Sequence, residues 1–567
     1  MHQRRRGRAG MKAPALLPGA ACLLALLCLA AAPSAQAQAR ADLDLVHPVR
    51  PGDTLYGLAR HYLGDARLWP QLQHANAVRE PRHLQPATQL RIPMRLLPAG
   101  SAQVVFASGA TRVAPGAVAP PLHAGQALAE GEAIRAAPDG FISVRLADGT
   151  LVRVQADSQL RIDQLRRTGR AGDAQSILQL QRGSVDSSVP PRPGSARRFE
   201  VRTPGASTAV RGTRFTVELD AQGRTLAAVT EGRLAVAPHS AGSAAVDTGQ
   251  GLVVGDDGRP GQRQALLPAP GLQAVADTLE DADLLYLPLQ PVGGATAYQV
   301  QLARDAQFTQ VLRGGRFDSA ELRLPAVADG SYYLQARAID AHGLPGWPAQ
   351  RSITVKAHPI APLLQQPAAG VSLERGAGAL SCTPVAGVTR YRIQVAAAAG
   401  FAAPVLDTLQ DGCALALAAL PPGRYEWRAA SVRQRPDGVP DQGPFSAPRA
   451  FAVAERPPPP EVVAEQSGDR LQLRWQGHAG QRFQLQLATS AGFEEGSVVL
   501  DEQLDAAAWA APSSALAGAY HLRLRTLDPS GLRSGFSTPR LIILAAPVVS
   551  GDGLPVRSAD GQPVARP

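Results

Sequence analysis

Residues able to act as acids, bases, nucleophiles or metal ligands are sparse in this chain and far apart. Histidines such as His47, His61, His123, His239, His342, His358, His478 and His521 are scattered one to a segment. No His-Glu-x-x-His, Gly-x-Ser-x-Gly or Ser-x-x-Lys pattern sets a zinc site or an activated serine beside them. The cysteines are Cys22, Cys28, Cys382 and Cys413, none with a neighbouring histidine. This inventory calls for no metal and no cofactor, and it favours a non-catalytic protein. An enzyme whose groups assemble from distant positions is the alternative.

The start of the chain says where such a protein works. Arg4, Arg5, Arg6, Arg8 and Lys12 precede an apolar run from Ala13 to Ala32, and small residues follow with Ala-x-Ala sites ending at Ala37 and Ala39. This order predicts a secretory signal over residues 1–39, cleaved near Ala37 or Ala39. Neither Cys22 nor Cys28 has the flanking residues that lipid attachment resembles. Cys382 and Cys413 are then an even pair in an oxidising compartment, which points to a disulfide before a redox or metal site. No later apolar stretch reaches the roughly 18 residues that span a bilayer, so no transmembrane segment is expected after cleavage. The location predicted is the periplasm or cell envelope.

Charge adds little to this. The net charge is +10, but about half of it sits in the signal. The remainder is spread over the mature chain without a basic run carrying interleaved aromatics, so nucleic acid is not an expected partner. With 567 residues, 55 glycines, 49 prolines and only 5% aromatics, the composition predicts several small domains of short strands and many turns.

Residues 43–97 change from strand to helix and back. Leu45 to Val49 reads as a strand, Pro51, Gly52 and Asp53 as a turn with Asp53 capping a helix, and Leu55, Leu58, Ala59 and Tyr62 recur at helical spacing. A second amphipathic stretch holds Leu68, Trp69, Leu72 and Ala75, and a final strand holds Leu90 and Ile92. The ordered series Val49-Arg50-Pro51-Gly52-Asp53-Thr54-Leu55, Tyr62-Leu63-Gly64-Asp65, Leu68-Trp69, Asn76, Gln85-Pro86 and Leu90-Arg91-Ile92-Pro93 resembles a lysin motif (LysM) domain. The resemblance implies binding of N-acetylglucosamine-containing glycans such as peptidoglycan, in a shallow groove between two loops. Those loops match Gly52, Asp53, Thr54, Leu55 and Tyr56 on one side and Leu84, Gln85 and Pro86 on the other. Turn backbone can offer an acetamido group its donor and acceptor, and an apolar floor can take its methyl. Structural roles compete with this: Asp53 as a cap, Leu55 and Trp69 as core. Ala87 stands where the family usually has glycine, which predicts a tighter second loop and weaker binding.

From Ser101 to about Arg263 the helical pattern disappears. Ile142, Val144 and Leu146; Val152 and Val154; Leu178 and Leu180; Phe199 and Val201; Phe215, Val217 and Leu219; and Leu234 and Val236 alternate like strands. Asp139-Gly140, Asp148-Gly149, Arg182-Gly183, Gln222-Gly223 and Glu231-Gly232 read as turns between them. Phe199-Glu200-Val201-Arg202-Thr203-Pro204 and Ala209-Val210-Arg211-Gly212-Thr213-Arg214-Phe215 resemble the signature of FecR-type periplasmic domains. Its Arg-Gly-Thr segment is expected to be a turn held by hydrogen bonds. Known FecR proteins pass a transport signal to a sigma factor, a role that implies a cytoplasmic segment. Only about 12 residues precede the apolar run here, too few to fold.

Three later segments repeat. Tyr298, Tyr391 and Phe483 each open an alternating strand and stand 93 and 92 residues apart. Gly330-Ser331-Tyr332, Gly423-Arg424-Tyr425 and Gly518-Ala519-Tyr520 follow in turn, and Trp347, Phe445 and Phe536 close the units. That period suits one β-sandwich each, over residues 272–356, 357–455 and 461–544. The repeats resemble fibronectin type III-like modules, in which Cys382 and Cys413 fall on strands able to neighbour one another. Pro457 to Pro460 stiffens the junction before the third repeat, and residues 545–567 are expected to lack order.

The fold expected is thus mainly β and multidomain: a small βααβ LysM module, a FecR-like β-rich domain over 101–263 and three β-sandwich repeats. The function expected is a non-catalytic envelope protein that grips peptidoglycan and presents its β domains to another envelope protein. A FecR-type sensory or regulatory protein and a cell-wall remodelling enzyme are the alternatives.

Overall fold

The computed structural model describes residues 45–113, 120–167, 174–191, 198–210, 212–397, 400–417, 420–467, 470–512, 518–544, 546–552, 554, 556–561 and 564–566. The signal segment with its cleavage sites, and Arg211 of the Arg-Gly-Thr turn, lie outside them. The chain divides into two units, one built on Met1–Ser101 with Gln164–Ile177 and Arg192–Phe199, the other on the rest.

In the first unit a two-stranded antiparallel sheet pairs Leu45–Pro48 with Gln89–Ile92, setting Leu45 opposite Ile92 and His47 opposite Leu90. Between the strands run an α-turn over Leu55–Leu58, a wider helical turn over Ala59–Leu63, a tight turn over Ala66–Leu68 and a helix over Trp69–Ala75. Leu55, Leu58, Ala59, Leu63, Leu72, Leu90 and Ile92 close one core, with Tyr62, Leu68, Trp69 and Leu84 packed against it. The helical spacing of these residues is what turns one face of each short helix onto the sheet. Thr54, rather than Asp53, caps the first helix: its backbone is extended and its Oγ1 accepts from Gly57 N at 3.0 Å.

In the second unit the middle domain is antiparallel sheet. Ala102–Val113 pairs with Ala133–Leu146, which pairs with Leu151–Val154. Arg214–Leu219 lies between residues 183–188 and Thr225–Glu231, and the latter pairs with Gln250–Val254. Ile142, Val144, Val152, Val154, Phe215, Val217, Leu234 and Val236 are all buried, as alternation expects of the core face of a sheet.

Two of the glycine signals differ from the turns expected. Gly140 and Gly183 lie inside the strands Ala133–Leu146 and Ala174–Ser188. A β-carbon on Gly140 would stand 2.3 Å from Gly109 O, and one on Gly183 2.2 Å from Ser158 Oγ. Both mark close backbone approach at an irregular strand instead of a reversal. Asp148-Gly149 and Gln222-Gly223 do turn: Asp148 accepts from Thr150 N at 2.8 Å, and Gly223 N donates to Asp220 O at 3.1 Å. Thr213 is tied in the same way, exchanging backbone hydrogen bonds with Val189 and donating its Oγ1 to Arg233 O at 3.1 Å.

Each repeat is two sheets around its own core. The first sets five strands, in the order Thr278–Leu279, Ala349–Val355, Gly330–Ile339, Ala297–Ala303, Val311–Phe317, against the pair Leu284–Pro288 and Glu321–Pro325. The second sets six strands against three, and the third four against three. Tyr298, Tyr391 and Phe483 sit in the three cores. Tyr332 and Tyr425 donate their hydroxyls to the carbonyls four residues upstream, Ala328 O at 2.7 Å and Pro421 O at 2.8 Å, which pins each strand entry. Cys382 and Cys413 form a disulfide with their Cα atoms 5.3 Å apart.

Past Leu544, where composition predicts no order, the described residues pair Ala546–Pro547 with Ala565–Arg566. Val548, Val556 and Val564, eight residues apart, are linked by backbone hydrogen bonds of 2.7 to 2.8 Å, each donating to another of the three.

Candidate functional site

The loops that follow the first strand and precede the second leave the sheet side by side. Val49 N donates to Thr88 O at 2.8 Å, and Ala87 N donates to Val49 O at 2.9 Å, so the ladder is extended by one pair at the base of both loops. Gly52 is exposed at φ +92°, a conformation that favours glycine, and a β-carbon there would meet nothing within 4 Å. A ligand can therefore approach this backbone closely. Tyr56 is 59% exposed at the start of the first helix, and Gln85 and Pro86 are exposed on the second loop. Gln85 O is engaged by Thr88 Oγ1 at 2.6 Å, which holds the second loop's backbone in place.

The remaining candidates are engaged within the domain itself. Leu55 is 1% exposed and belongs to the core, so any contribution it makes to a ligand is confined to its backbone. Leu84 is half-buried against the same core. Thr54 is occupied as the helix cap. Asp53 is half-buried, with Oδ2 accepting from Arg50 N at 2.7 Å and lying 2.8 Å from His47 Nε2. Its hydrogen bond with His47 holds its carboxyl below the ordinary range.

Neither the histidine inventory nor the helical spacing of Tyr62 links His47 to these loops. His47 Nδ1 lies 2.9 Å from the Tyr62 hydroxyl, so His47 joins Tyr62 to Asp53. A carboxylate only accepts, so His47 Nε2–H donates to Asp53, and in the neutral ring Nδ1 accepts from Tyr62. The signal was a histidine on the first strand six residues before an aspartate across a turn. The arrangement stiffens the first loop. Among the described residues no group of three or more His, Cys, Asp or Glu is placed to hold a metal.

The second loop carries a strained residue. Ala87 has φ +67°, the left-handed region where the β-carbon is penalised.

Residues 47–93 match the LysM domain. Residues 132–235 match the FecR protein family. The chain thus carries a LysM domain ahead of a FecR domain. A protein of Deinococcus radiodurans is 42% identical over 50 residues, which are 9% of this chain and 20% of that relative's length.

Among solved structures, a candidate anti-sigma factor from Parabacteroides distasonis is 19% identical over 24% of this chain and 59% of its own, with a TM-score of 0.20. The FN1–FN3 domains of chicken CNTN1 are 13% identical over 48% of this chain and 98% of theirs, with a TM-score of 0.22. The fibronectin(III)-like modules of Clostridium thermocellum CbhA are 13% identical over 32% of this chain and 93% of theirs, also at 0.22. Likeness of this degree bears on neither ligand nor role. Among the described residues no helix is long and apolar enough to cross a membrane.

Proposed function

We propose that this is a non-catalytic protein of the cell envelope, exported by its signal segment, that binds peptidoglycan through its LysM domain. The FecR domain and the β-sandwich repeats then face another envelope protein. The observation that supports this best is the meeting of the two loops at Val49, which sets exposed Gly52 and Tyr56 on one loop beside Gln85 and Pro86 on the other. Backbone donors and acceptors with a small apolar floor suit an acetamido sugar and bury few atoms. One such module should bind with a Kd of about tens of micromolar to millimolar.

The groove positions Gly52, Thr54, Leu55, Leu84 and Pro86 carry no charge, and Asp53 is paired with His47. Binding is therefore expected to tolerate salt. The test is calorimetric titration of the mature full chain with N-acetylglucosamine oligomers. Tyr56→Ala and Gly52→Ala should each weaken binding several-fold, and unchanged affinity in both would move the site off these loops.

The match over residues 132–235 favours a second reading, a sensory or regulatory protein in envelope signalling. A signal segment retained as an anchor together with a cytoplasmic partner would support it. Amino-terminal sequencing of the envelope form separates the two, since the first reading requires a start near residue 38 or 40.

A further inference from the structure

The three repeats present equivalent sheet faces, and they are not used alike. Three residues after Tyr298, Tyr391 and Phe483 stand Gln301, Gln394 and Gln486. Each amide oxygen accepts from the next strand: from Gln335 Nε2 at 3.1 Å, Arg428 Nε at 2.9 Å and Arg523 Nε at 2.8 Å. On the other side the glutamines face Gly314, Asp407 and Asp501. Asp407 and Asp501 accept from their glutamines at 2.9 and 2.7 Å. The first repeat therefore has glycine and glutamine where the other two have aspartate and arginine.

Those two arginines are stacked on aromatic rings. Arg428 lies 4.1 Å from the Phe401 centroid and 4.2 Å from that of Phe445, and Arg523 lies 4.0 Å from Phe493 and 4.2 Å from Phe536. The matching aromatics of the first repeat, Phe308 and Trp347, turn to the middle sheet instead. Phe308 shares a buried cluster with Phe141, Ala303 and Val311. A β-carbon on Gly249 would stand 3.2 Å from the Trp347 ring.

Around Phe141 the seam carries paired polar groups beside a cavity lined by Gln155, Gln301 and Arg316. Gln301 Nε2 donates to Gln155 Oε1, and Gln155 Nε2 to Asp186 Oδ2 at 3.0 Å. Arg337 Nη1 donates to Asp186 Oδ1 at 3.3 Å and to Thr216 Oγ1 at 3.0 Å, with both charged side chains under 10% exposed, at 8% and 5%. Ser143 Oγ donates to Thr309 O at 2.6 Å, and Arg153 Nη1 to Gln307 O at 2.7 Å. Among these buried and mutually paired groups an added charge without its own partner is unfavourable. Gly314 also leaves no room, since a β-carbon there would come 2.9 Å from the Phe141 ring and 2.9 Å from Val300 O.

We propose that the FecR-domain sheet around Phe141, Gln155 and Asp186 is a recognition surface whose partner is the chain's own first repeat, chosen over the second and third through Gly314 and Gln335. An outside partner of the FecR domain must then bind elsewhere or displace the first repeat. This is independent of glycan binding.

Hydroxyl-radical footprinting of the full mature chain tests it, read by mass spectrometry on Phe141 and Phe308, which are 4% and 2% exposed. Gly314→Asp and Gln335→Arg install what the other repeats carry. The proposal expects oxidation of Phe141 and Phe308 to rise at least fivefold in both variants, with Tyr298, Leu324, Trp427 and Phe483 as protected as before. Unchanged protection of Phe141 and Phe308 in both variants would overturn it. So would a matching rise at Tyr298 and Leu324 in both, which would assign the two positions to the repeat's own fold.

Discussion

Asn76 holds Arg91 by both of its backbone groups. Its Oδ1 accepts from Arg91 N at 2.6 Å and its Nδ2 donates to Arg91 O at 2.7 Å, while Nδ2 also reaches Leu72 O at 2.8 Å. One amide thus joins the end of the second LysM helix to the strand that closes the domain. Asn76→Ala leaves these backbone groups to water and should cost about 1–2 kcal/mol. Urea unfolding of the full chain, followed at Trp69, is the check; an Asn76→Asp variant, which can still accept from Arg91 N, should fall between.

Ala87 sits at φ +67° beside the candidate groove. Glycine removes the β-carbon penalty but adds freedom to the unfolded chain, so Ala87→Gly should stabilise the LysM domain by a net of roughly 0.5–1 kcal/mol. The same denaturation experiment reads it. Affinity for N-acetylglucosamine oligomers should rise with it if the strained loop is what weakens binding.

Lys356, the sole lysine after Lys12, clamps the first two repeats together. Its Nζ lies 2.8 Å from Asp329 and 2.9 Å from Asp441. Burial alone would raise the Asp329 carboxyl, but Lys356, the Ala357 amide and His358 outweigh it and bring it down to about 2 from 3.8. A folded-state value below the unfolded one gives stability that is complete above about pH 4 and lost as pH falls towards 2. Lys356→Met should therefore lower the melting temperature at pH 6 and make little difference at pH 2. Scanning calorimetry at both values reads the result.

The disulfide between Cys382 and Cys413 closes a loop with a sequence separation of 31. Cross-linking a loop of this length should stabilise the second repeat by roughly 2–4 kcal/mol. Cys382→Ser/Cys413→Ser should lower that repeat's unfolding midpoint and leave the LysM domain's unchanged. Two free thiols in protein taken from the envelope would contradict the pairing.

Local pattern carried much of this architecture. Ile142, Val144, Val152 and Val154 are buried because alternation is a one-residue rule that needs no distant partner. The LysM loops were legible for a similar reason: Pro51, Gly52, Gln85 and Pro86 set their own backbone. Gly140 and Gly183 were not, since what they accommodate is Gly109 and Ser158 on other strands. Thr54 and Asp53 are both good caps by type, and His47 draws Asp53 away from the role. Gln301, Gln335 and Gly314 have the spacing of an ordinary outward face; only the sheet that covers them separates them from Gln394, Arg428 and Asp407.

Residues 43–97 are proposed to attach the protein to peptidoglycan. The most direct measurement is sedimentation with purified peptidoglycan, comparing the full mature chain with one lacking residues 43–97, at low and at high salt. Attachment through the LysM domain predicts that the full chain pellets at both salt concentrations and that the shortened chain stays in the supernatant. Equal pelleting of the two, released by salt, would contradict it and assign wall attachment to the arginines of the remaining domains.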